Sequence, residues 1–250
     1  MEAQQTKLDV TSNNIANVST AGFKKSRAEF SDLLYQTVKK PGVATGEGTQ
    51  SPGGLQIGMG VRTAATQRMH SQGSLQQTGN PLDIAIEGRG FFVIEMPNGD
   101  QAFSRDGALK LDSEGRLVNS EGFPLAGGLT VPPDVDSIAV AANGTISVTV
   151  AGDTEPVEVG RLELATFANP AGLEAIGKNM LRATAASGAA VTAPPGEGGA
   201  GSVAQGTLEL SNVKVVEEMV DLISGQRAYE VNTRVVRAAD EMLAQTANLK

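Results

Sequence analysis

The chain has 250 residues, with 20 Lys and Arg against 28 Asp and Glu, a formal charge of −8, one histidine and no cysteine. This composition excludes disulfides, thiolate chemistry and a histidine-rich metal site. The sequence contains no run of 18 apolar residues and no basic segment followed by an apolar core, so it predicts neither a transmembrane helix nor a Sec-type signal peptide. Taken alone, these features indicate a cytoplasmic protein.

The charge is unevenly distributed along the chain. Residues 1–40 carry six basic and four acidic side chains, residues 213–250 carry five and six, and the remaining −9 lies between them. Near-neutral ends can pack against copies of themselves, whereas an acidic middle stays hydrated. No basic patch with interleaved aromatic residues is present, so nucleic acid is not a predicted partner.

The first element is a helix predicted over residues 1–18. Met1, Leu8 and Ile15 lie seven apart, and Gln4, Thr11 and Val18 occupy neighbouring positions of the same face. Asparagine is a poor helix-interior residue, and Asn13, Asn14 and Asn17 all lie near the end of this pattern. Gly22 can adopt a positive φ and is expected to terminate the element.

A short amphipathic piece then carries Phe30, Leu33, Leu34 and Val38. It is followed by a glycine-rich, polar stretch from Lys39 to Gly60, which predicts a long loop or an extended hairpin and not a helix. The residues that give this stretch its extended character are Pro41, Gly42, Gly46, Gly48, Gly53, Gly54, Gly58 and Gly60.

From Leu82 onward the apolar period changes to two, which is typical of strands. Asn98-Gly99 and Asn143-Gly144 are strong hairpin-turn signals. A short helix is predicted over Ala171–Ile176, and an extended arm or mobile loop over the Ala/Gly/Pro-rich stretch from Ala185 to Gly206. The predicted strands are Leu82–Ile86, Phe91–Met96, Gln101–Ser104, Ala108–Leu111, Leu117–Asn119, Ser137–Val140, Thr145–Val150, Val157–Val159 and Leu162–Phe167.

The last 38 residues are predicted to form one helix, about 57 Å long at ~1.5 Å per residue. Its apolar side chains follow steps of mostly three, four and seven, which is the spacing of a coiled-coil seam. Such a stripe needs a partner, and the N-terminal helix is the other segment with this pattern. The stripe consists of Val213, Val216, Val220, Ile223, Val231, Val235, Ala238, Met242 and Leu249.

Together these elements predict an α+β fold in which the N- and C-terminal helices form a coiled coil. The predicted terminal rod domain comprises residues 1–22 and 213–250. Residues 23–80 and 176–212 form an extended connecting layer, and a mainly antiparallel β domain, residues 81–175, is inserted into it. A chain organised in this way is suited to assembly more than to catalysis.

Candidate catalytic groups have simpler interpretations. His70 is interpreted as a surface or interface residue, because no Gly-x-Ser-x-Gly elbow accompanies it. The glycines around Arg89 lack the spacing and lysine of a phosphate loop. Lys24, Lys25 and Arg27 could contact an acidic partner or form a solvated face. The carboxylates that could in principle pair for hydrolysis lie in or beside turns: Asp83, Glu87, Asp106, Asp112 and Glu114.

Four motifs in order resemble the bacterial flagellar rod, hook and hook-associated family, over nearly the whole chain. Residues 8–25 read LDVTSNNIANVSTAGFKK and resemble its N-terminal signature. Residues 211–232, SNVKVVEEMVDLISGQRAYEVN, resemble its closing helix. Residues 82–93, LDIAIEGRGFFV, and the pair FSRDG (103–107) and GFPL (122–125) resemble its β domain.

This resemblance implies a structural protein without catalytic residues, cofactor or metal. The Lys39–Gly60 stretch favours the distal-rod branch over the hook, because in the family it contacts neighbouring subunits and keeps the tube straight. The implied partners are further copies of the chain, other rod proteins, the hook protein, the P and L ring bushing and the type III export apparatus. The implied location is the periplasmic rod of the basal body, reached without a cleaved signal.

The resemblance has one departure. Family chains usually begin with a further short apolar stretch, and here about 20 residues of the C-terminal helix lack an N-terminal counterpart. The self-assembly interface implied by the family comprises Leu8, Thr11, Asn13, Asn14, Ile15 and Asn17 with the stripe of the last helix. A hook or proximal-rod protein and a carboxylate-dependent peptidoglycan-active enzyme are the alternatives.

Overall fold

The computed structural model describes residues 1–41, 44–46, 49–50, 53–150 and 155–248. Of the residues singled out from the sequence, Gly42, Gly48 and Leu249 lie outside the described residues. The fold has an N-terminal helix, a C-terminal helix and antiparallel sheets between them, which confirms the predicted α+β class.

The chain divides into two compact units. We call the first the terminal unit; it contains Met1–Asn13, Ser26–Gln67 and the chain from Val216 onward. The second, which we call the β unit, contains Asn14–Lys25 and Arg68–Val215. The three-domain division inferred from the sequence stays a prediction.

Two helices dominate the terminal unit. Helix α1 spans Glu2–Ala16 and helix α2 spans Val215–Asn248, close to the predicted limits. Glu217 and Glu218 lie in the first turn of α2, where carboxylates interact favourably with the helix dipole. Neither described helix is long and apolar enough to cross a membrane.

The strands of the terminal unit form two-stranded sheets. Strand β2 pairs antiparallel with β5, so the glycine-rich stretch adopts the hairpin alternative, and the amphipathic piece before it is extended. A short pair, β3 and β4, lies between them, and β1 pairs with β6. The strands are β1 (Ser26–Asp32), β2 (Tyr35–Lys39), β3 (Ala44–Gly46), β4 (Thr49–Gln50), β5 (Leu55–Gly58) and β6 (Val61–Arg68).

The β unit contains fifteen named strands within the described residues. Its largest sheet has the order β17-β18-β10-β9-β16-β19, and β13-β14-β15 form a three-stranded sheet. Smaller antiparallel pairs join β8 to β20, β7 to β21 and β11 to β12. The strands are β7 (Leu75–Gln77), β8 (Ile84–Glu87), β9 (Phe91–Glu95), β10 (Gln101–Ser104), β11 (Lys110–Leu111), β12 (Leu117–Val118), β13 (Val135–Val140), β14 (Thr145–Val150), β15 (Val157–Arg161), β16 (Leu164–Thr166), β17 (Glu174–Gly177), β18 (Met180–Arg182), β19 (Val191–Ala193), β20 (Ser202–Gln205) and β21 (Thr207–Glu209).

The core of the β unit lies on both faces of β9. Side chains alternate along a strand, so Phe92 packs into one apolar cluster while Phe91 and Val93 pack into another. The first cluster also contains Ile84, Ile146 and other fully buried residues. A strand covered on both sides reads as a continuous apolar run, which is what residues 91–94 show.

Two sequence predictions in this unit are wrong. The helix expected over Ala171–Ile176 is a single 3-10 turn, Pro170–Gly172, followed by strand β17. Lys178 and Asn179, both at positive φ, turn the chain back into β18, so pairing overrides the local helix signal. The stretch from Ala185 to Gly206 is not a free arm, because its strands β19 and β20 pair with β16 and β8.

Candidate assembly interface

The two terminal helices contact each other within the terminal unit. Lys7 Nζ lies 3.2 Å from Asp221 Oδ1, an exposed pair worth at most about 1 kcal/mol. Nearby, a Cβ added to Gly225 would lie 2.9 Å from Leu8 Cδ2, so the leucine packs where α2 has no side chain. A glycine inside a helix costs about 1 kcal/mol relative to alanine, and close helix packing is a physical reason to have one there.

Within the described residues, α1 is shorter than α2. With 15 and 34 residues they extend over roughly 22 and 51 Å at ~1.5 Å per residue. Val216 and Met242 are 76% and 64% exposed, and Val235 is 62% exposed. The other predicted stripe residues that are exposed are Val220, Ile223, Val231 and Ala238. Met219, Val236 and Leu243 are exposed too and were not part of the predicted stripe.

The remaining predicted interface residues differ in how far they are buried. Thr11, Asn14 and Val213 are buried within the single chain. Leu8, Ile15 and Asn17 are half-buried, whereas Asn13 is exposed. The sequence pattern did not separate residues that pack inside one copy from those left at its surface, and the self-assembly role of the whole set stays a prediction.

The hairpin of β2 and β5 exposes a second apolar surface. Leu55 and Ile57 are 53% and 52% exposed, lie two residues apart and therefore share one face of β5. Lys39 lies directly opposite Leu55 in the register. We call Lys39, Leu55 and Ile57 the hairpin face. Gly53 and Gly60 leave open space where other residues would carry a Cβ.

A buried ion cluster lies where distant parts of the chain meet in the β unit. Glu209 accepts hydrogen bonds from Lys24 Nζ at 2.5 Å and from the Gly73 amide at 2.8 Å, both at Oε1. Arg105 Nε lies 2.9 Å from Glu209 Oε2. All three charged side chains are at least 95% buried. We call Lys24, Arg105 and Glu209 the junction cluster.

Both cations of the junction cluster also bind backbone carbonyls. Arg105 donates to Gly90 O at 2.7 Å and to Gly88 O at 2.8 Å, while Lys24 donates to Ser71 O at 2.7 Å. Burial lowers the pKa of Lys24 and of Arg105, and the Glu209 carboxylate opposes both shifts. Lys24 therefore has its acidic partner inside its own chain and is not part of a solvated basic face.

Asn212 links the same segments through its side chain. Its Oδ1 accepts from the Lys25 amide at 2.7 Å, and its Nδ2 donates to Met69 O at 2.8 Å and to Ser71 Oγ at 2.9 Å. The Gly22 amide donates to Glu209 O at 2.8 Å. The segments around residues 22–25, 69–73 and 209–212 are thus joined at one place, although nearly 190 positions separate the first from the last.

His70, interpreted from the sequence as a surface or interface residue, lies beside the junction cluster and is partly buried. Both ring nitrogens are buried, and the ring packs edge-on against Phe91 with 5.5 Å between the ring centroids. Burial, aided by the charges of Arg68, Lys24 and Arg105, lowers the pKa of His70 from 6.5 to about 4. A neutral imidazole next to these three cations is a packing element there, and it has neither a serine nor a carboxylate arranged as in a catalytic triad within the described residues.

Three of the five carboxylates considered for hydrolysis make local structural bonds. Asp83 accepts from Thr78 Oγ1 at 2.6 Å and from Asn80 Nδ2 at 3.0 Å. Asp112 accepts from Arg116 Nε at 2.9 Å. Burial raises the pKa of Asp106, whose Oδ1 accepts from the Ala108 amide. These contacts shape turns, as their positions in the sequence indicated.

Comparison with known proteins identifies the class to which this architecture belongs. The model of flagella basal body rod proteins matches residues 1–24. The D1 domain model of flagellar hook proteins FlgE/F/G matches residues 85–148, and the C-terminal model of flagellar basal body rod FlgEFG proteins matches residues 204–249. The matches therefore cover both helical ends and part of the β unit, in the family's order.

Individual relatives extend the similarity over the full chain. The chain is 45% identical to the flagellar basal-body rod protein FlgG of Buchnera aphidicola from Acyrthosiphon pisum over 249 residues, all of this chain and 96% of the relative. It is also 45% identical to FlgG of Borreliella burgdorferi over 252 residues, all of this chain and 95% of the relative. The flagellar hook-basal body complex protein FlhP of Bacillus subtilis is 31% identical, over 96% of this chain and 92% of the relative.

The chain belongs to the flagellar basal-body rod protein family. Its members are structural components of the flagellum, and the chain is not an enzyme.

Proposed function

We propose that the chain is the structural subunit of the distal rod, the drive shaft that carries motor torque through the periplasm to the hook. The observation that carries the proposal is the exposed apolar stripe of α2, a 34-residue helix. Further copies of the chain cover this stripe in a helical assembly, with the terminal helices forming a coiled-coil tube. The layered arrangement of three domains around that tube belongs to the same proposal.

The energetics of burial support this role. Six predicted stripe residues are roughly half exposed or more, and burying the exposed part of each side chain contributes about 1 kcal/mol to association. A total of about 6 kcal/mol per copy is comparable with the lower part of the 4–15 kcal/mol that association costs in lost freedom. One contact of this kind is therefore weak, and a subunit held by several neighbours at once is stable.

The β unit gives the proposed shaft its stiffness. A closed core and the junction cluster make it stiff, because buried polar groups that pair with one another hold one arrangement of the chain. The hairpin of β2 and β5 reaches neighbouring copies and opposes bending. This role favours the distal rod over the hook and proximal rod.

The proposed partners are other copies, the neighbouring rod proteins, the hook protein and the P and L ring bushing. The chain reaches the growing tip through the flagellar type III export channel and assembles in the periplasm. Export of unfolded chains agrees with a sequence that needs no disulfide to fold.

Hydrogen exchange on the purified monomer and on assembled rods tests the proposal. The amides of α1 and α2 are expected to exchange rapidly in the monomer and to become protected on assembly, because the stripe is covered only there. The amides of β9 and β10 serve as the internal control and are expected to be protected in both states. Protection of α2 in the monomer, or failure of the chain to form rods, would contradict the proposal.

A further inference from the structure

The β unit carries an open groove that its own core does not fill. Its volume is about 630 Å³, within the range of sites that hold a small molecule or a short peptide segment. Its apolar lining includes Leu111, Val135 and Ile138, together with prolines. Its charged lining consists of Asp112, Glu114 and Asp136, and Arg116 pairs with the first two at 2.9 and 3.4 Å.

The groove is therefore both apolar and acidic. Its three lining carboxylates face one arginine, Arg116, which pairs with Asp112 and Glu114 and leaves Asp136 as the remaining acidic group of the lining. An occupant that matches it must present apolar side chains next to a cation, because complementary charge selects partners and a like charge is excluded. The edge strand β13 forms one wall, and an extended segment is the shape that fits beside a strand edge.

The same chain carries a surface of this chemistry in its terminal unit. The hairpin face combines two half-exposed aliphatic side chains, Leu55 and Ile57, with the cation of Lys39, and Lys40 follows at once. It is extended, it is exposed, and it has the opposite charge to the groove.

We infer that the hairpin face of one copy docks into the acidic groove of a second copy. The inference rests on the proposed rod function and names the site that the hairpin contacts. Leu55 and Ile57 enter the apolar floor, and Lys39 lies against Asp136. The two surfaces are different patches of one chain, so the contact is heterologous, and a repeated heterologous contact whose rotation does not close into a ring propagates into an open helical filament.

Because the chain has no cysteine, introduced cysteines report this contact without background. Chains carrying Ile57→Cys and chains carrying Val135→Cys are mixed, assembled into rods and oxidised. A dimer of two 25.7-kDa chains is expected on non-reducing gels. The matched control replaces Val135→Cys by Val157→Cys, which lies in the same unit, is 51% exposed and is outside the groove. We expect at least a tenfold lower dimer yield from the control mixture.

A charge exchange tests the direct contact. Lys39→Glu and Asp136→Lys are each expected to lower the cross-linking yield severalfold, and mixing Lys39→Glu with Asp136→Lys in the two partner chains is expected to restore it. Equal yields from groove and control mixtures, no restoration, or cross-links only to a different protein would overturn the inference while rods still form. Failure of the unmodified chain to form rods would instead overturn the proposed function, and the inference with it.

Discussion

The two units of this molecule use apolar side chains in opposite ways. In the β unit, Phe92, Ile84 and Ile146 are at most 1% exposed and belong to one cluster. In the terminal unit, Val216, Val235 and Met242 are more than 60% exposed along one helix. The first unit completes its core within one copy, whereas the second has apolar surface that a single copy leaves in water. The difference separates what stabilises the subunit from what joins subunits.

The largest expected effect is in the junction cluster. Glu209→Ala leaves the cations of Lys24 and Arg105 buried without a counter-charge, which costs about 4 kcal/mol. Denaturant unfolding monitored in the β unit checks this value. Glu174→Ala, which breaks the exposed Glu174–Arg182 pair, is the control and is expected to cost less than about 1 kcal/mol. Equal losses in both variants would show that the cluster does not stabilise the unit.

A substitution in the helix stripe is expected to weaken assembly and to leave the stability of the monomer nearly unchanged. Val235→Asp puts a charge on the exposed face of α2, so the free energy of unfolding of the monomer is expected to change by at most about 0.5 kcal/mol. Assembly is expected to weaken at least tenfold, because a carboxylate cannot be buried cheaply between apolar helices. Sedimentation of assembled rods measures this. Arg234→Asp, beside it on an exposed and charged face, is the control. If the Val235→Asp monomer instead unfolds easily, the stripe also stabilises the single copy, and the two units do not differ in the way described.

Acid is expected to destabilise the β unit through His70. Its pKa is about 4 in the folded chain and about 6.5 when unfolded, so the unfolded chain takes up a proton first as the pH falls. The stability that the neutral His70 imidazole contributes is fully present above pH 6.5. It is lost between pH 6.5 and 4, by about 2 kcal/mol after allowance for solvent screening.

The variant His70→Phe keeps a ring against Phe91 and removes the titration. Unfolding curves of both proteins from pH 7 to 4 isolate the contribution of His70, since the carboxylates titrate in both. If the two proteins lose stability in parallel, the imidazole is not buried in its neutral form.

The smallest expected effect concerns the helix contact. In an isolated helix, Gly225→Ala would add about 1 kcal/mol of stability. Here we expect little net change, because the new methyl group would lie 2.9 Å from Leu8 Cδ2. In a Leu8→Ala background the same substitution is expected to recover the gain. Circular dichroism during thermal unfolding measures all four proteins, and a full gain in the original background would mean that α1 does not pack there.

Local signals were sufficient for several elements. The strands Gln101–Ser104 and Thr145–Val150 have the predicted bounds, because Asn98-Gly99 and Asn143-Gly144 fix the neighbouring turns. Both glycines have positive φ, as these turns require. The two helices were predicted because an apolar period near 3.6 is maintained over many residues. Strands β19 and β20 were missed, since their pairing partners β16 and β8 lie elsewhere in the chain.

By itself, the sequence determined the order of the elements, the long helix with its apolar stripe, the extended glycine-rich stretch and the family resemblance, because periodicity and turn chemistry act over neighbouring residues. Only the tertiary structure decided which residues are covered. Lys24 and Glu209 are 185 positions apart, and no local pattern indicates that they form a buried pair. The hairpin face likewise depends on the register that sets Lys39 opposite Leu55. Burial is a property of contacts between distant segments, and those contacts exist only once the chain has folded.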